Sequence, residues 1–184
     1  MDISKITDYL YISAELQPAH RSEVDAHHIS LIISMIGRRY PPKLFEQPPY
    51  RLLWLQTFDS ILFPIPMKKL AQGVQAALPI IKSGKNILVY CAKGRHRSVA
   101  MAAAILIATG HTAHEAMELL RAQRKIADPN AWHISRRIRK FEKHWHNEIN
   151  QPNDRISSIG ETYVELTTAL MSNILLRLTR LFNK

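Results

Sequence analysis

A short apolar run followed directly by a basic, glycine-containing loop constrains this chain more than any other stretch. Residues 87–90 follow a turn-forming segment at 83–86 and have the composition of a buried central strand. After Arg97 the sequence is alanine-rich and has no helix breaker until Gly110, which predicts a helix that begins beside Arg97. A strand, a tight loop and a helix N-terminus in succession predict an anion site, because the free amides there carry partial positive charge.

Cys91 ends the apolar run and is the only cysteine of the chain. A thiol near Lys93, Arg95 and Arg97 is expected to have a lowered pKa, so that the nucleophilic thiolate is populated near neutral pH. Arg97 lies six positions after Cys91 (97 − 91), so the loop can curl and let the guanidinium hold a phosphoryl group. Ser98 can offer its hydroxyl to the sulfur when the sulfur leaves as a thiolate. A small buried apolar residue is the alternative interpretation of Cys91, and the basic loop argues against it.

The pattern of Cys91, five residues of any kind, Arg97 and Ser98 resembles the active-site signature of the cysteine-dependent protein tyrosine phosphatase superfamily. Its place in the chain, with three helical patterns after it, is similar to the dual-specificity phosphatase branch, and the resemblance covers about residues 3–149. The resemblance implies a hydrolase that cleaves phosphate monoesters through a phosphocysteine intermediate. It implies phosphorylated proteins carrying phosphotyrosine, phosphoserine or phosphothreonine as substrates.

Asp59 is the candidate for the acid that this chemistry requires, because the leaving oxygen must be protonated as the phosphoryl group moves to sulfur. It follows the predicted strand at 51–55 and precedes Cys91 by 32 positions (91 − 59), close to the separation in dual-specificity phosphatases. In the second step Asp59 would activate water. An aspartate in a solvated turn before Pro64 is the alternative interpretation.

The loop residues between the nucleophile and the arginine are expected to bind phosphate through backbone amides and, where basic, through side-chain charge. They are Ala92, Lys93, Gly94, Arg95 and His96. Farther along the chain, Asn130 in the segment Asp-Pro-Asn resembles the Asn with which the family braces its cysteine loop. A simple helix N-cap is an equal alternative for Asn130.

Two features depart from the family pattern. Tyr90 occupies the position where the family usually has a His that orients the loop and keeps the thiol acidic, so reduced activity is expected. Residues 94–97, Gly-Arg-His-Arg, look like the Gly-Lys-His-Arg of the plant-and-fungi type atypical phosphatases that act on inositol pyrophosphates. The added cations favour a polyanionic small-molecule substrate, although the same residues would also compensate for the missing His.

These departures leave competing hypotheses open. In a non-catalytic phosphate-binding module, the loop persists while Tyr90 leaves Cys91 protonated. An inositol-phosphate phosphatase or an RNA 5′-phosphatase would use the same loop with a different substrate, and the RNA hypothesis also rests on the net charge of +10.

Four apolar segments separated by helical patterns predict a layered α/β fold. The resemblance implies the arrangement found in dual-specificity phosphatases. Its centre is expected to be a mostly parallel sheet of about four or five strands flanked by helices, with ligands at the carboxyl ends of the strands. Strands are predicted at 6–13, 31–34, 51–55 and 87–90, and helices at 18–27, at 66–82, after Arg97, after Thr112 and at 134–149. One face of the helix after Thr112 carries Ala113, Ala116, Met117, Leu120 and Arg124.

Residues 1–150 are expected to form the phosphatase-like domain, and residues 151–184 a linker and a C-terminal amphipathic helix. The apolar face of that helix needs a partner: its own domain, a second copy of the chain in a homodimer, or an anionic membrane surface. Because little basic charge accompanies the face, packing in cis or as a homodimer is favoured over a membrane.

Composition limits the remaining classes of function. A single cysteine excludes an intrachain disulfide and a cysteine-cluster metal site, and fits a reducing, cytoplasmic location. No stretch reaches the roughly 18–20 apolar residues of a membrane span. The pI near 9.9 indicates acidic substrates or partners, of which nucleic acid is the less favoured. The pairs His111 and His114, and His144 and His146, form no metal motif, and neither a metal nor another cofactor is expected.

Overall fold

A five-stranded, mostly parallel sheet lies at the centre of the fold, as the sequence predicted. The computed structural model describes residues 2–150, and the chain divides into two compact units, Met1–Lys143 and His144–Lys184. The strands are β1 Ile3–Lys5, β2 Leu10–Ser13, β3 Ile29–Ser34, β4 Arg51–Trp54 and β5 Asn86–Tyr90. Their order across the sheet is β1-β2-β5-β3-β4, and only β1 runs antiparallel to its neighbour. β5 therefore lies in the middle of the sheet, with β2 on one side and β3 on the other.

The helices agree with the expected pattern. They are α1 Arg21–Ala26, α2 Met67–Lys82, α3 Arg97–Ala108, α4 Ala113–Gln123 and α5 Trp132–Asn150, with 3₁₀ turns at Pro18–His20 and Lys43–Glu46. All 12 residues of α3 are buried. Its alanines let α3 lie close to its neighbours: it contacts α2, α4, β2 and β5. At the start of α4 the predicted capping box is present, because Thr112 Oγ1 accepts from the Glu115 amide and Glu115 Oε2 accepts from the Thr112 amide.

The first predicted strand is too long. Residues 6–13 were expected to form one strand, but only Leu10–Ser13 belongs to the sheet, and the short antiparallel strand β1 precedes it. Thr7 causes the break: its Oγ1 accepts from the Leu10 amide at 3.1 Å, and the Ile6 amide donates to the Leu10 carbonyl at 2.8 Å. A threonine that bonds to a backbone group a few residues away favours a turn over an extended strand.

The C-terminal amphipathic helix predicted within 151–184 lies outside the described residues. The homodimer expected through it therefore stays a prediction, as does the cytoplasmic location. Among the helices that the structure describes, none has the length and apolar character needed to cross a membrane.

Candidate active site

The loop 91–96 joins the carboxyl end of β5 to the first residue of α3. Three of its carbonyl groups are bonded to the surrounding scaffold, while the backbone amides of Arg95 and Ser98 point inwards and bond to the Cys91 sulfur. The bonded pairs are Ala92 O with the Glu15 amide at 3.4 Å, Gly94 O with Arg124 Nε at 2.8 Å, and Arg95 O with the Asp128 amide at 3.1 Å. Inward amides beside a helix N-terminus make a cradle for an anion.

Cys91 lies at the bottom of this cradle and is fully buried. Its Sγ is 3.3 Å from Ser98 Oγ. Burial by itself raises the pKa of the Cys91 thiol, but hydrogen bonds from the Ser98 hydroxyl and amide, the charge of Arg97 and the Arg95 amide outweigh it. The pKa of Cys91 is therefore below that of an ordinary thiol, which favours the nucleophilic thiolate.

Arg97 is anchored at the carboxyl edge of the sheet and is only 7% exposed. Its Nη1 donates to the carbonyls of Met35 at 2.8 Å and Thr57 at 2.9 Å, just beyond the ends of β3 and β4. Its Nε is buried and has no hydrogen-bond partner within the described part of the chain. Since buried donors are nearly always satisfied, a free guanidinium N–H beside the cradle indicates a place for an anionic oxygen.

Asp59 lies in the loop that follows β4, and its side chain is 40% exposed. Its carboxylate oxygens are each 3.3 Å from His96 Nδ1, and Oδ2 is 3.9 Å from Arg97 Nε. The fold thus brings Asp59 to the same cradle as Cys91, Arg97 and Ser98. A partly exposed carboxylate in this position can exchange protons with a bound leaving group or with water.

The extra positive charge of the loop is largely paired. Arg95 Nη2 donates to Asp128 Oδ2 at 3.0 Å, and His96 Nε2 lies 3.8 Å from the same oxygen. The hydrogen bond from Arg95 lowers the pKa of Asp128, which therefore remains a carboxylate. Lys93 is exposed at the outer edge of the loop. Asp128 and Asp59 thus offset part of the charge that suggested a polyanionic substrate.

Asp128, rather than Asn130, makes the bracing contacts to the loop. Asn130 is exposed in the turn before α5. Asp128 bonds to Arg95 through both its amide and its carboxylate, and its Oδ1 also accepts from the Ala131 amide at 3.0 Å. The turn directs Asp128 towards the loop. Its carboxylate accepts a charge-assisted hydrogen bond from the Arg95 guanidinium, and the amide side chain of Asn130 would make a weaker one.

Arg124 is a supporting residue that sequence reasoning placed only on a helix face. It is 2% exposed, and besides Gly94 O it bonds to Asp2 and Ser4, which lie just before and within β1. A charged residue on an otherwise apolar helix face was the signal available in the sequence, since such a residue is rarely buried without partners. The contact joins the cradle to the edge of the sheet.

Gly94 has a left-handed backbone conformation, with φ of 62°, and is closely surrounded. A Cβ there would clash with Arg124 Nη2 and lie 2.7 Å from the Ser13 carbonyl oxygen. Both the backbone angle and the close approach require glycine at this position.

Gly94→Ala is expected to lower the free energy of unfolding by about 2 kcal/mol and to weaken tungstate binding, because the cradle must shift to relieve the contact. Gly84→Ala is the matched control: Gly84 has φ of 70° but nothing within 4 Å of an added Cβ. Urea unfolding and calorimetric titration with tungstate measure both effects. Equal loss of tungstate affinity in the two variants would contradict the close-contact argument.

Tyr90 is 1% exposed and does not replace the chemical role of a histidine. Burial raises the pKa of Tyr90 to about 12, opposed by a hydrogen bond with Ser34. The phenol therefore stays neutral and provides no positive charge beside the thiol. The low pKa of Cys91 comes instead from Ser98, Arg97 and the loop amides.

A pocket of about 730 Å³ opens beside the cradle. Ile36, Phe58 and Phe63 form apolar parts of its wall. Arg38 adds positive charge, whereas Arg39 is paired with Glu15 at 3.3 Å. Phe58 and Phe63 are 53% and 69% exposed. A substrate with an apolar body next to its phosphate would fill this space.

Comparisons with known proteins agree with this geometry. Residues 10–144 match the family model "Dual specificity phosphatase, catalytic domain". A curated relative, protein-tyrosine-phosphatase MKP1 of Arabidopsis thaliana, is 25% identical over 135 residues, which are 70% of this chain but only 16% of that protein.

Solved structures show the same fold. A variant of human DUSP28 superposes with a TM-score of 0.71 at 18% identity, over 80% of this chain and 99% of that one. PTPMT1 in complex with PI(5)P superposes with a TM-score of 0.70 at 21% identity, over 79% and 97% of the two chains. The match of the family model over most of the described residues places this chain in the dual-specificity phosphatase family of cysteine-dependent hydrolases.

Proposed function

We propose that this chain hydrolyses phosphate monoesters in two steps, with Cys91 as nucleophile. In the first step the thiolate attacks phosphorus in line, the ester oxygen leaves, and Asp59 gives that oxygen its proton. The loop amides and Arg97 Nε hold the non-bridging oxygens, whose charge is stabilised in the transition state. The observation that carries this proposal is the buried Arg97 Nε, which has no hydrogen-bond partner among the described residues, beside a thiol of lowered pKa.

In the second step water attacks the phosphocysteine and inorganic phosphate leaves. Asp59, now a carboxylate, removes a proton from the water, and the sulfur departs as a thiolate. Ser98 Oγ, 3.3 Å from Sγ, donates a hydrogen bond to the departing sulfur. Atoms balance over the two steps: one ester and one water give one alcohol or phenol and one phosphate.

The pocket favours a substrate with an aromatic group, above all phosphotyrosine. Ile36, Phe58 and Phe63 supply apolar surface next to the cradle, and Arg38 is exposed on the same wall. A polyanionic small molecule remains the second proposal, supported by the exposed Lys93 and the net charge of +10. Because Arg95 and His96 are already paired with carboxylates, the aromatic substrate is the better supported of the two.

A panel of phosphorylated compounds tests the substrate class. Phosphotyrosine peptide, phosphoinositide, inositol pyrophosphate and RNA 5′-triphosphate are compared by phosphate release at equal concentration. We expect the highest kcat/KM for the peptide, and Phe63→Ala should raise the KM for the peptide more than the KM for inositol pyrophosphate. A preference for the inositol compound that Phe63→Ala leaves intact would favour the polyanionic substrate.

The pH dependence of the Cys91 thiolate separates an enzyme from a phosphate-binding module. Because the pKa of Cys91 is lowered, its thiolate should appear at a lower pH than that of free cysteine measured in the same buffer. The ultraviolet absorbance of the thiolate reports this directly, since the chain has one cysteine and Cys91→Ser provides the blank. A midpoint at or above that of free cysteine would favour the non-catalytic module.

A further inference from the structure

Three side chains with metal-binding groups converge at one side of the cradle. They are Asp59 from the loop after β4, His96 from the loop before α3 and His133 from the first turn of α5, and their donor atoms all lie within 4.8 Å of one another. His96 Nδ1 is 3.3 Å from each Asp59 oxygen, and His133 Nε2 is 3.9 Å from Oδ1. The two imidazole rings are 5.2 Å apart and nearly perpendicular.

These separations are close to those of a tetrahedral zinc site. With Zn–N and Zn–O distances near 2.0–2.2 Å, neighbouring donors around zinc are about 3.3–3.5 Å apart. Two of the donor separations are 3.3 and 3.9 Å, and none exceeds 4.8 Å. Small rotations of the side chains would therefore bring the donors to this geometry. Two imidazoles and one carboxylate are a donor set that binds zinc and leaves a fourth position for water or a phosphate oxygen.

The neighbours of this cluster orient its donors towards a common point. His96 Nδ1 is 3.3 Å from both Asp59 oxygens, and on the other side of the ring Nε2 lies 3.8 Å from Asp128 Oδ2. With a metal bound at Nδ1, the ring proton would be on Nε2 and face the Asp128 carboxylate, an arrangement common for metal-binding histidines. Asp59 Oδ2 faces Arg97 Nε at 3.9 Å, whereas Oδ1 faces His133. One carboxylate oxygen is thus available to a metal while the other keeps its contact with the guanidinium.

The three side chains are partly exposed, so a bound ion could exchange with solvent. The side chains of His96 and His133 are 20% and 18% exposed, and that of Asp59 is 40% exposed. The guanidinium of Arg97 is close to Asp59, and Arg137 lines the small void that Asp59 and His133 share. Both positive charges oppose a cation, so the ion should bind reversibly rather than as a permanent structural metal.

We propose that Asp59, His96 and His133 bind a zinc ion that inhibits the phosphatase. A carboxylate that coordinates zinc through Oδ1 holds no proton for the leaving oxygen, so turnover stops at the first step. The inhibition rests on the role proposed for Asp59, whereas the metal site itself does not. Sequence spacing does not reveal this site, because its ligands are 37 (96 − 59) and 37 (133 − 96) positions apart.

Zinc binding is measured by calorimetry on the full chain carrying Cys91→Ser, which removes the thiolate as a competing ligand. We expect one zinc ion per chain, and at least tenfold weaker binding when His133→Gln is added to Cys91→Ser. His114→Gln in the same background is the matched control, because His114 is an exposed histidine on α4 outside the cluster. His133→Asn is a second variant, and circular dichroism establishes that each variant is folded.

The spectrum of Co²⁺ in place of zinc identifies the ligands. Cobalt bound by two imidazoles and a carboxylate should show the visible bands of four-coordination without the near-ultraviolet absorption of a thiolate ligand, in the wild-type chain as in Cys91→Ser. Zinc should also inhibit hydrolysis by the wild-type chain, with an inhibitory concentration at least tenfold higher after His133→Gln and unchanged after His114→Gln.

The possible results test the metal site, the inhibition and the proposed function separately. Loss of zinc binding in Cys91→Ser, or equal affinity with and without His133→Gln, would overturn the metal site. Zinc binding as expected in a chain that hydrolyses no phosphate ester would leave the site intact and contradict the proposed function instead. Unimpaired hydrolysis at a zinc concentration that saturates the site would overturn the inhibition.

Discussion

Cys91→Ser is expected to lower kcat by roughly 10⁵–10⁶-fold, the scale seen when a covalent nucleophile is removed. A serine hydroxyl at this position is not ionised near neutral pH, because an alcohol is a far weaker acid than a thiol. Tungstate binding should persist or become tighter, since the substitution removes a negative charge from below the bound anion while the amides and Arg97 remain. Hydrolysis of p-nitrophenyl phosphate and calorimetric titration with tungstate measure the two properties separately.

Ser98→Ala is the control that distinguishes loss of the nucleophile from damage to the cradle. Ser98 lies 3.3 Å from Sγ and is assigned to the departure of sulfur, so its loss should slow the second step and let phosphocysteine accumulate. Rapid quenching and mass spectrometry would detect that intermediate in Ser98→Ala and not in Cys91→Ser. Hydrolysis by Cys91→Ser at the wild-type rate would refute the covalent mechanism.

The central part of the site could be predicted because its residues are close together in the chain. β5, the loop and the start of α3 form one continuous stretch, so the order of strand, amides, Cys91 and Arg97 follows from local rules alone. The lowered pKa of Cys91 was expected for the same reason, and Cys91 is also buried, which by itself raises the pKa.

The supporting contacts could not be predicted, because they depend on how distant segments meet. Asp128 and His133 approach the loop from the turn before α5 and from its first turn, and Arg124 reaches Gly94 from the residue after α4. The carbonyls of Met35 and Thr57 that hold Arg97 carry no side-chain signal at all. Of these supporting residues, only Arg124 could be suspected from the sequence, because it is a charged residue on an otherwise apolar helix face.

The prediction of the fold was least accurate for short elements. β1 has three residues and pairs along one edge of the sheet, so its pattern is too short to be recognised. The buried strands β3 and β5 and the long helices α2 and α5 have enough periodic residues to be placed nearly as they occur.

Asp59→Asn is expected to slow turnover by roughly 10²–10⁴-fold, as loss of general acid catalysis does, with an effect that depends on the leaving group. Asparagine keeps the volume of the side chain and can still contact His96, but it has no proton to donate. A phenyl phosphate substrate, whose leaving group is a strong base, should show the full loss in its first step. A nitrophenyl phosphate leaves more easily as an anion, so the burst of nitrophenol should be reduced much less.

The dependence on the leaving group distinguishes a lost proton donor from a displaced side chain, because only the loss of a donor slows the poor leaving group more than the good one. Asp8→Asn is the matched control, since Asp8 is an exposed aspartate paired with Lys5 and remote in sequence from the site. If Asp59→Asn slowed both leaving groups equally, Asp59 would be holding His96 and Arg97 in place, and the proton would have to come from another donor.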